Sequence, residues 1–248
     1  MAQQSRIEWT DATWNPVTGC TKISEGCRYC YAEVMAHRLR RMGQVRYRKG
    51  FDVAMHGGAL LEPLRWKRPR RVFVCSMGDL FHEDVPFEFI DAVWHTMHTA
   101  AQHLFLVLTK RPARAGYWCS WTSVFDDPLP NVCVGVTAEN QREWNRRVGK
   151  LVHGISAHRR FVSCEPLLGP ICVLPWLDQI DQIIIGCESG PRRRPCDLLW
   201  ARALLRQAFR AGAKVFVKQL QIDGKVSKEP NEWPEDLRVR QPLPMGAQ

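Results

Sequence analysis

Six short apolar runs recur along the chain and constrain its fold more than any other feature. They are residues 71–75 (RVFVC), 104–108 (LFLVL), 132–136 (VCVGV), 160–164 (RFVSC), 182–186 (QIIIG) and 214–217 (KVFV). Most are nearly continuous in apolar residues rather than alternating, as strands buried on both faces of a parallel sheet are. A weaker run at 14–19 (WNPVTG) counts as a first strand, which makes RVFVC the second and KVFV the seventh. Helix-like stretches at 31–41, 86–102, 140–148 and 197–211 lie between several of them. Pro86 suits a first helical turn, Asp197 an N-cap and Gly212 a stop. Residues 165–181 contain Pro166, Pro170 and Pro175, which predicts loop with at most one short helix. Strands alternating with helices imply a parallel α/β sheet with right-handed crossovers. Six or seven such units favour a full or partial (β/α) barrel over an open sheet, and in either case the chemistry belongs at the carboxyl ends of the strands.

The chain has 248 residues, a length one such barrel fills. Residues 1–221 read as the barrel domain and 222–248, rich in Pro and charge, as a peripheral C-terminal extension. No apolar run reaches the ~18 residues of a membrane span. Residues 1–9 are polar and lack the apolar core of a secretory leader, so the expectation is a cytoplasmic protein with no membrane association. The 10 cysteines are then not a disulfide framework, because cytosolic thiols stay reduced and clustered ones indicate metal or catalysis. A net charge of +10 points to a polyanionic partner: a nucleic acid, a nucleotide or an acidic membrane, of which the first two are the expectation here.

Cys20, Cys27 and Cys30 stand in GCTKISEGCRYCYAE, a C-x6-C-x2-C arrangement in a turn-rich loop. The close pair lets two thiolates converge on one metal or cluster, and the third raises the count to three. Three protein ligands leave one position of a four-coordinate site open, which suits catalysis. The nearest imidazole, His37, lies seven residues beyond Cys30, farther than zinc pairs usually stand. A structural zinc knuckle is the alternative, and it lacks its second pair of ligands.

Seven segments carry a family resemblance: IEWTDATWNPVTGCTKISEGCRYCYAE, SMGDLFHEDVP, LTKRP, LPNVCVGVTAENQ, FVSCEPLLGP, IIIGCESGPRRRP and VFVKQ, spread from Ile7 to about Gln219. They are similar to the phage Gp37/Gp68 family, a domain of unknown function with a three-Cys motif. That family in turn resembles radical S-adenosylmethionine (SAM) enzymes. The resemblance implies a barrel of the radical SAM type in which Cys20, Cys27 and Cys30 hold a [4Fe-4S] cluster. The fourth iron of such a cluster binds the amino and carboxylate groups of SAM. An electron donor reduces the cluster, which cleaves SAM to a 5′-deoxyadenosyl radical. The usual motif is C-x3-C-x2-C with an aromatic residue before the last Cys, a position Tyr29 fills. The first spacer is six residues here instead of three, and extra loop length costs little entropy.

The same resemblance assigns roles at the strand ends. Ser76 and Asp79 follow the second strand, where radical SAM enzymes bind the SAM amino group; a cap or turn is the plainer role for Asp79. Lys110 and Arg111 follow the third strand and could meet the SAM carboxylate or a substrate phosphate. Thr137, Glu139 and Asn140 follow the fourth and could hold ribose hydroxyls, with helix capping the alternative for Asn140. Glu165 and Glu188 close the fifth and sixth strands, and two carboxylates there indicate a catalytic site, because a charge is costly unless paired or used. With Lys218, at the end of the last strand, they are the candidate catalytic residues; the carboxylates could bind SAM, orient substrate or exchange protons, and the alternative is an ion pair with Lys218 or with Arg111. Cys75, Cys133, Cys164 and Cys187 read as buried packing thiols, with a substrate-radical role for Cys164 or Cys187 as the alternative.

Three basic clusters remain: Arg38, Arg40, Arg41, Arg46, Arg48 and Lys49; Arg65, Lys67, Arg68, Arg70 and Arg71 around Trp66; and Arg192, Arg193 and Arg194. Cations with interleaved aromatics can track phosphates and stack a base, whereas solvated helix faces are the ordinary explanation. Trp9, Trp14, Trp118 and Trp121 read as core or loop anchors. The leading expectation is a radical SAM enzyme acting on a nucleic acid or nucleotide. The alternatives are a zinc-bound nucleic-acid-binding protein without catalysis and a barrel hydrolase whose thiols are incidental.

Overall fold

The computed structural model describes residues 5, 7–122, 127–173 and 175–245. The other residues of the opening stretch, the end of the tail and one position within 165–181 lie outside the described residues. The protein is a mixed α/β fold built on one eight-stranded, mostly parallel sheet flanked by helices. Its strands are β1 (Ala12–Trp14), β2 (Arg71–Val74), β3 (Leu104–Thr109), β4 (Val132–Thr137), β5 (Arg159–Cys164), β6 (Gln182–Gly186), β7 (Lys214–Ile222) and β8 (Lys225–Ser227). They lie side by side in chain order, and only β8 is antiparallel. The helices are α1 (Tyr31–Arg41), α2 (Phe87–Thr99), α3 (Pro112–Trp121), α4 (Gln141–Gly154) and α5 (Leu198–Arg210). Among the described residues one helix fills each crossover except that between β5 and β6, where a short 3-10 turn, Leu177–Gln179, is the only helical piece, as its prolines predict.

Strand order explains why the apolar runs are continuous. A sheet whose successive crossovers share one hand carries its helices on one face. Val72, Val74, Phe105, Val107, Val134, Val162, Ile183, Ile185, Val215 and Val217 pack in the main core with Ile90, Trp94, Trp144, Leu151 and Leu204 from the helices. The residues between them, Phe73, Leu104, Leu106, Cys133, Phe161, Ile184 and Phe216, form a second buried cluster with Trp9 and Leu243. Strands β2 and β5 are three positions apart, about 14 Å in a flat sheet. Yet the Trp9 ring lies 4.8 Å from Phe73 and 5.9 Å from Phe161, so the sheet curls around it. Gly135 on β4 makes room there, since a Cβ at that position would stand 2.6 Å from the Phe161 ring. No pairing joins β1 to β7 or β8 among the described residues.

Several boundaries differ from expectation. The first strand is Ala12–Trp14, earlier than predicted; Val17–Thr18 turns away to pair with Ala54–Met55. Helix α2 starts at Phe87, with Pro86 extended just before it. Helix α3 was not expected: Gly116 hides its pattern, yet that glycine lets α3 approach α4, because a Cβ there would meet the Gly154 carbonyl at 2.8 Å. Asp197 caps α5 as predicted, accepting from the Leu199 amide at 2.8 Å. Trp9, Trp14 and Trp118 are buried, whereas Trp121 is exposed.

The tail is a larger correction. Its Pro and charge content suggested a peripheral extension, but Trp233 and Leu237 are buried in the main core. The Val217 amide donates to Val239 at 2.8 Å and the Gln241 amide to Val215 at 2.9 Å, so the tail also covers the open edge of β7. Its few large apolar side chains, not its average composition, decide its place. Among the described residues, no helix is long and apolar enough to cross a membrane. Trp233→Ala is therefore expected to destabilise the whole chain by about 3–5 kcal/mol, the usual cost of emptying a buried aromatic site. Urea denaturation checks this; an unchanged midpoint would show that the tail is not part of the core.

Candidate functional site

The carboxyl ends of the strands open into a cavity of about 440 Å³ lined by Cys20, Cys27 and Cys30 together. Two glycines bring the cysteine loop there. Gly19 pairs with Gly78, just past β2, and its amide donates to Met77 at 2.8 Å. With φ +84°, Gly19 also passes under residue 52, where a Cβ would meet the Asp52 carbonyl oxygen at 2.1 Å. Cys20 follows directly, Cys27 ends a 3-10 turn, and Cys30 immediately precedes α1.

The loop is held from both sides. The Gly26 amide donates to Glu139 Oε1 at 3.1 Å, and a Cβ on Gly26 would lie 2.8 Å from that oxygen. Glu139 is fully buried; its other oxygen accepts from Arg147 Nη1 at 2.8 Å. Burial opposes its ionisation, but the charges of Arg147 and Lys110 and a hydrogen bond from Ser24 outweigh burial and hold its pKa below the ordinary 4.5. On the other side Arg111 binds Cys20 Sγ at 3.3 Å and Thr21 Oγ1 at 2.8 Å. Burial and the Asp79 carboxylate push the Cys20 thiol up to about 11, against the pull of Arg111. Cys27 lies below the ordinary thiol value: burial opposes this, but Lys110 and hydrogen bonds from Ile23 and Ser24 prevail.

Most of the strand-end residues meet in this cavity. Tyr29, Ser76, Asp79, Lys110, Thr137, Glu165, Glu188 and Lys218 line it with the three cysteines. Glu165 pairs with Lys218, which was one reading of these residues, and Gly186 leaves space for it, a Cβ there standing 3.2 Å from the carboxylate. Glu188 is gripped by Arg194 through its backbone amide at 2.8 Å and its guanidinium. Arg194 in turn lies 5.5 Å from the Tyr29 ring centre, with Arg28 at 5.4 Å. Lys110 makes no ion pair among the described residues, whereas Arg111, Lys218 and Lys228, the other cations lining the cavity, are all paired.

Three residues considered as ligand contacts are instead engaged by the protein itself. Glu139 does not line the cavity; it supports the cysteine loop from behind. Asn140 caps α4, accepting from the Glu143 amide at 3.0 Å. Asp79 is saturated by Phe81, Thr109, Lys110 and Arg111, which leaves no lone pair for an incoming ammonium. Cys75, Cys133, Cys164 and Cys187 are buried, with thiols pushed up by that burial, as packing residues should be. The basic clusters are partly tied down, with Arg46 on Glu62, Arg71 on Asp11 and Arg193 on the Gly224 carbonyl.

Other contributors had escaped notice. Gln219 and Trp9 line the cavity, and their Oε1 and Nε1 atoms are buried without a hydrogen-bond partner among the described residues. His82 accepts from the Asp84 amide at Nδ1, 3.2 Å away, and so donates from Nε2 to Thr21 Oγ1 at 2.8 Å. Nothing in periodicity marks these residues, because each acts through a contact distant in sequence.

The chain belongs to the family described as protein of unknown function DUF5131, whose model matches residues 4–233. No curated protein and no solved structure matches the chain.

Removing the Glu139 charge by Glu139→Gln leaves buried Arg147 undercompensated and is expected to cost about 3–5 kcal/mol. Because the folded pKa of Glu139 is depressed, its contribution is complete above about pH 4.5 and is lost as pH falls through the folded value. The stability gap between wild type and variant, read by urea titration from neutral pH downward, should therefore narrow on the acid side. A gap that stays constant would refute the ionised Glu139–Arg147 pair.

Proposed function

We propose that the protein is a radical SAM-type iron–sulfur enzyme that acts on a nucleic acid or nucleotide. The observation that carries this reading is the convergence of Cys20, Cys27 and Cys30 on one cavity with Lys110, Glu165, Glu188 and Lys218. A zinc knuckle gives no reason for that convergence. Seven parallel strands in chain order, curled around Trp9, support a partial (β/α) barrel with its working end at the strand termini.

The donor set fits an iron–sulfur cluster: three soft thiols on one loop, all lining one cavity at the strand ends. Among the described residues no three His, Cys, Asp or Glu side chains are already placed to hold a metal ion. When bound, the cluster and SAM supply one-electron cleavage of the sulfonium and a 5′-deoxyadenosyl radical for hydrogen abstraction.

The chain's own residues then bind and orient. Lys110, which makes no ion pair among the described residues, suits the SAM carboxylate or a substrate phosphate. With Asp79 saturated, Glu165 is the better acceptor for the SAM ammonium, because it has only Lys218 as a partner among the described residues. Lys218 can move a proton along that contact, and Glu188, fixed by Arg194, orients what enters. Tyr29 between two guanidiniums gives the cavity an aromatic and cationic rim suited to a base and its phosphate. Reduction requires an electron-donor protein, and both the thiols and the cluster suit a reducing cytoplasm.

Anaerobic purification and reconstitution should yield a brown protein with about four irons per chain. Dithionite and SAM should then release 5′-deoxyadenosine, faster with DNA or RNA present. Cys20→Ala, Cys27→Ala and Cys30→Ala should each abolish both iron uptake and SAM cleavage. A colourless protein with one zinc and no SAM cleavage would overturn the proposal in favour of a zinc-bound, non-catalytic protein.

A further inference from the structure

Arg111 is the most fully committed side chain at the site. It directly precedes α3 and is only 6% exposed, and its five N–H groups all have acceptors. Nε binds Glu83 at 2.9 and 3.1 Å. Nη1 binds Asp79 Oδ2 at 3.2 Å and Cys20 Sγ at 3.3 Å. Nη2 binds Thr21 Oγ1 at 2.8 Å and the Thr21 carbonyl at 3.3 Å. None is left for a ligand carboxylate, which removes Arg111 from the role first considered for it. Its plane is fixed instead by two carboxylates, and one corner of the guanidinium is aimed at a sulfur.

A cation donating to a ligating sulfur withdraws negative charge from it. That favours the reduced state of a cluster, which carries one more electron. Here the donor cannot turn away, because Asp79 is itself tied to Thr109 at 2.7 Å and to the Lys110 amide at 3.1 Å. The same guanidinium grips Thr21, the first residue of the six-residue spacer between Cys20 and Cys27, and His82 holds that threonine from another side. One side chain therefore touches both the ligand and the unusual spacer.

We propose that Arg111 is a positioning residue that raises the reduction potential of the iron–sulfur centre through its hydrogen bond to Cys20 and anchors the long spacer of the cysteine loop. The inference rests on the iron–sulfur reading. Glu83 supplies a control of opposite sign, since its side chain is 63% exposed and its charge partly offsets that of Arg111.

The test is a redox titration of the reconstituted full chain with dithionite and mediators, followed by the electron paramagnetic resonance signal of the reduced cluster. Arg111→Met should shift the midpoint to more negative potential, Arg111→Lys less so, and Glu83→Gln should shift it the opposite way. A merely structural role would not produce shifts of opposite sign. Wild-type midpoints in Arg111→Met and Glu83→Gln at full iron content overturn the inference and leave the iron–sulfur reading intact. If Arg111→Met does not fold or load iron, Glu83→Gln decides alone: an upward shift supports the inference and an unchanged midpoint overturns it. A wild-type chain that takes up no iron removes both readings together.

Discussion

A parallel sheet wound in one direction covers only one of its faces, and the remainder of this structure answers that constraint. The helices protect the outer face, so the inner face must bury itself. It does so by curling until Phe73, Leu106, Phe161, Ile184 and Phe216 share one cluster with Trp9 and Leu243. Each fully buried side chain of this size contributes about 1.5–3 kcal/mol. The curl also brings strand ends that would be far apart in a flat sheet to one opening. The cavity is therefore a product of the packing that stabilises the sheet, and both depend on Gly135 having no side chain.

Within the opening, charged residues divide into those already satisfied and those still available. Asp79, Glu139, Arg111 and Arg147 are buried and hold one another or the cysteine loop. Their desolvation is tolerable because each faces an opposite charge. Lys110 and the Glu165–Lys218 pair are only partly buried and remain in contact with the cavity. The division separates the groups that build the site from those free to meet a ligand.

Much of this was legible in the sequence, where local pattern and physical cause coincide. The six apolar runs became strands because their alternate residues enter two different cores. The caps Asp197 and Asn140 were readable because a capping side chain acts within three residues of itself. The cysteine loop and the strand-end carboxylates were readable because polar residues directly after buried strands have few structural uses. What failed depended on long-range contact. Helix α3 owes its fit to Gly116 meeting Gly154, and the tail owes its place to Trp233 and Leu237, neither of which periodicity reveals. Glu139 and Asp79 looked like ligand contacts because position alone cannot tell a carboxylate open to a ligand from one already filled by protein donors.

Gly19 opens the cysteine loop, and Gly78 receives it just past β2. Gly19 and Gly78 fasten that loop to the backbone just beyond β2, and Glu139 fastens its far side. None of these contacts involves a thiol, so the sheet itself directs the path of the loop. In small zinc domains metal binding and chain folding are a single event. Here the fold fastens the loop at both of its sides through backbone groups, so any centre held by the three thiols would sit on a frame that the sheet supplies.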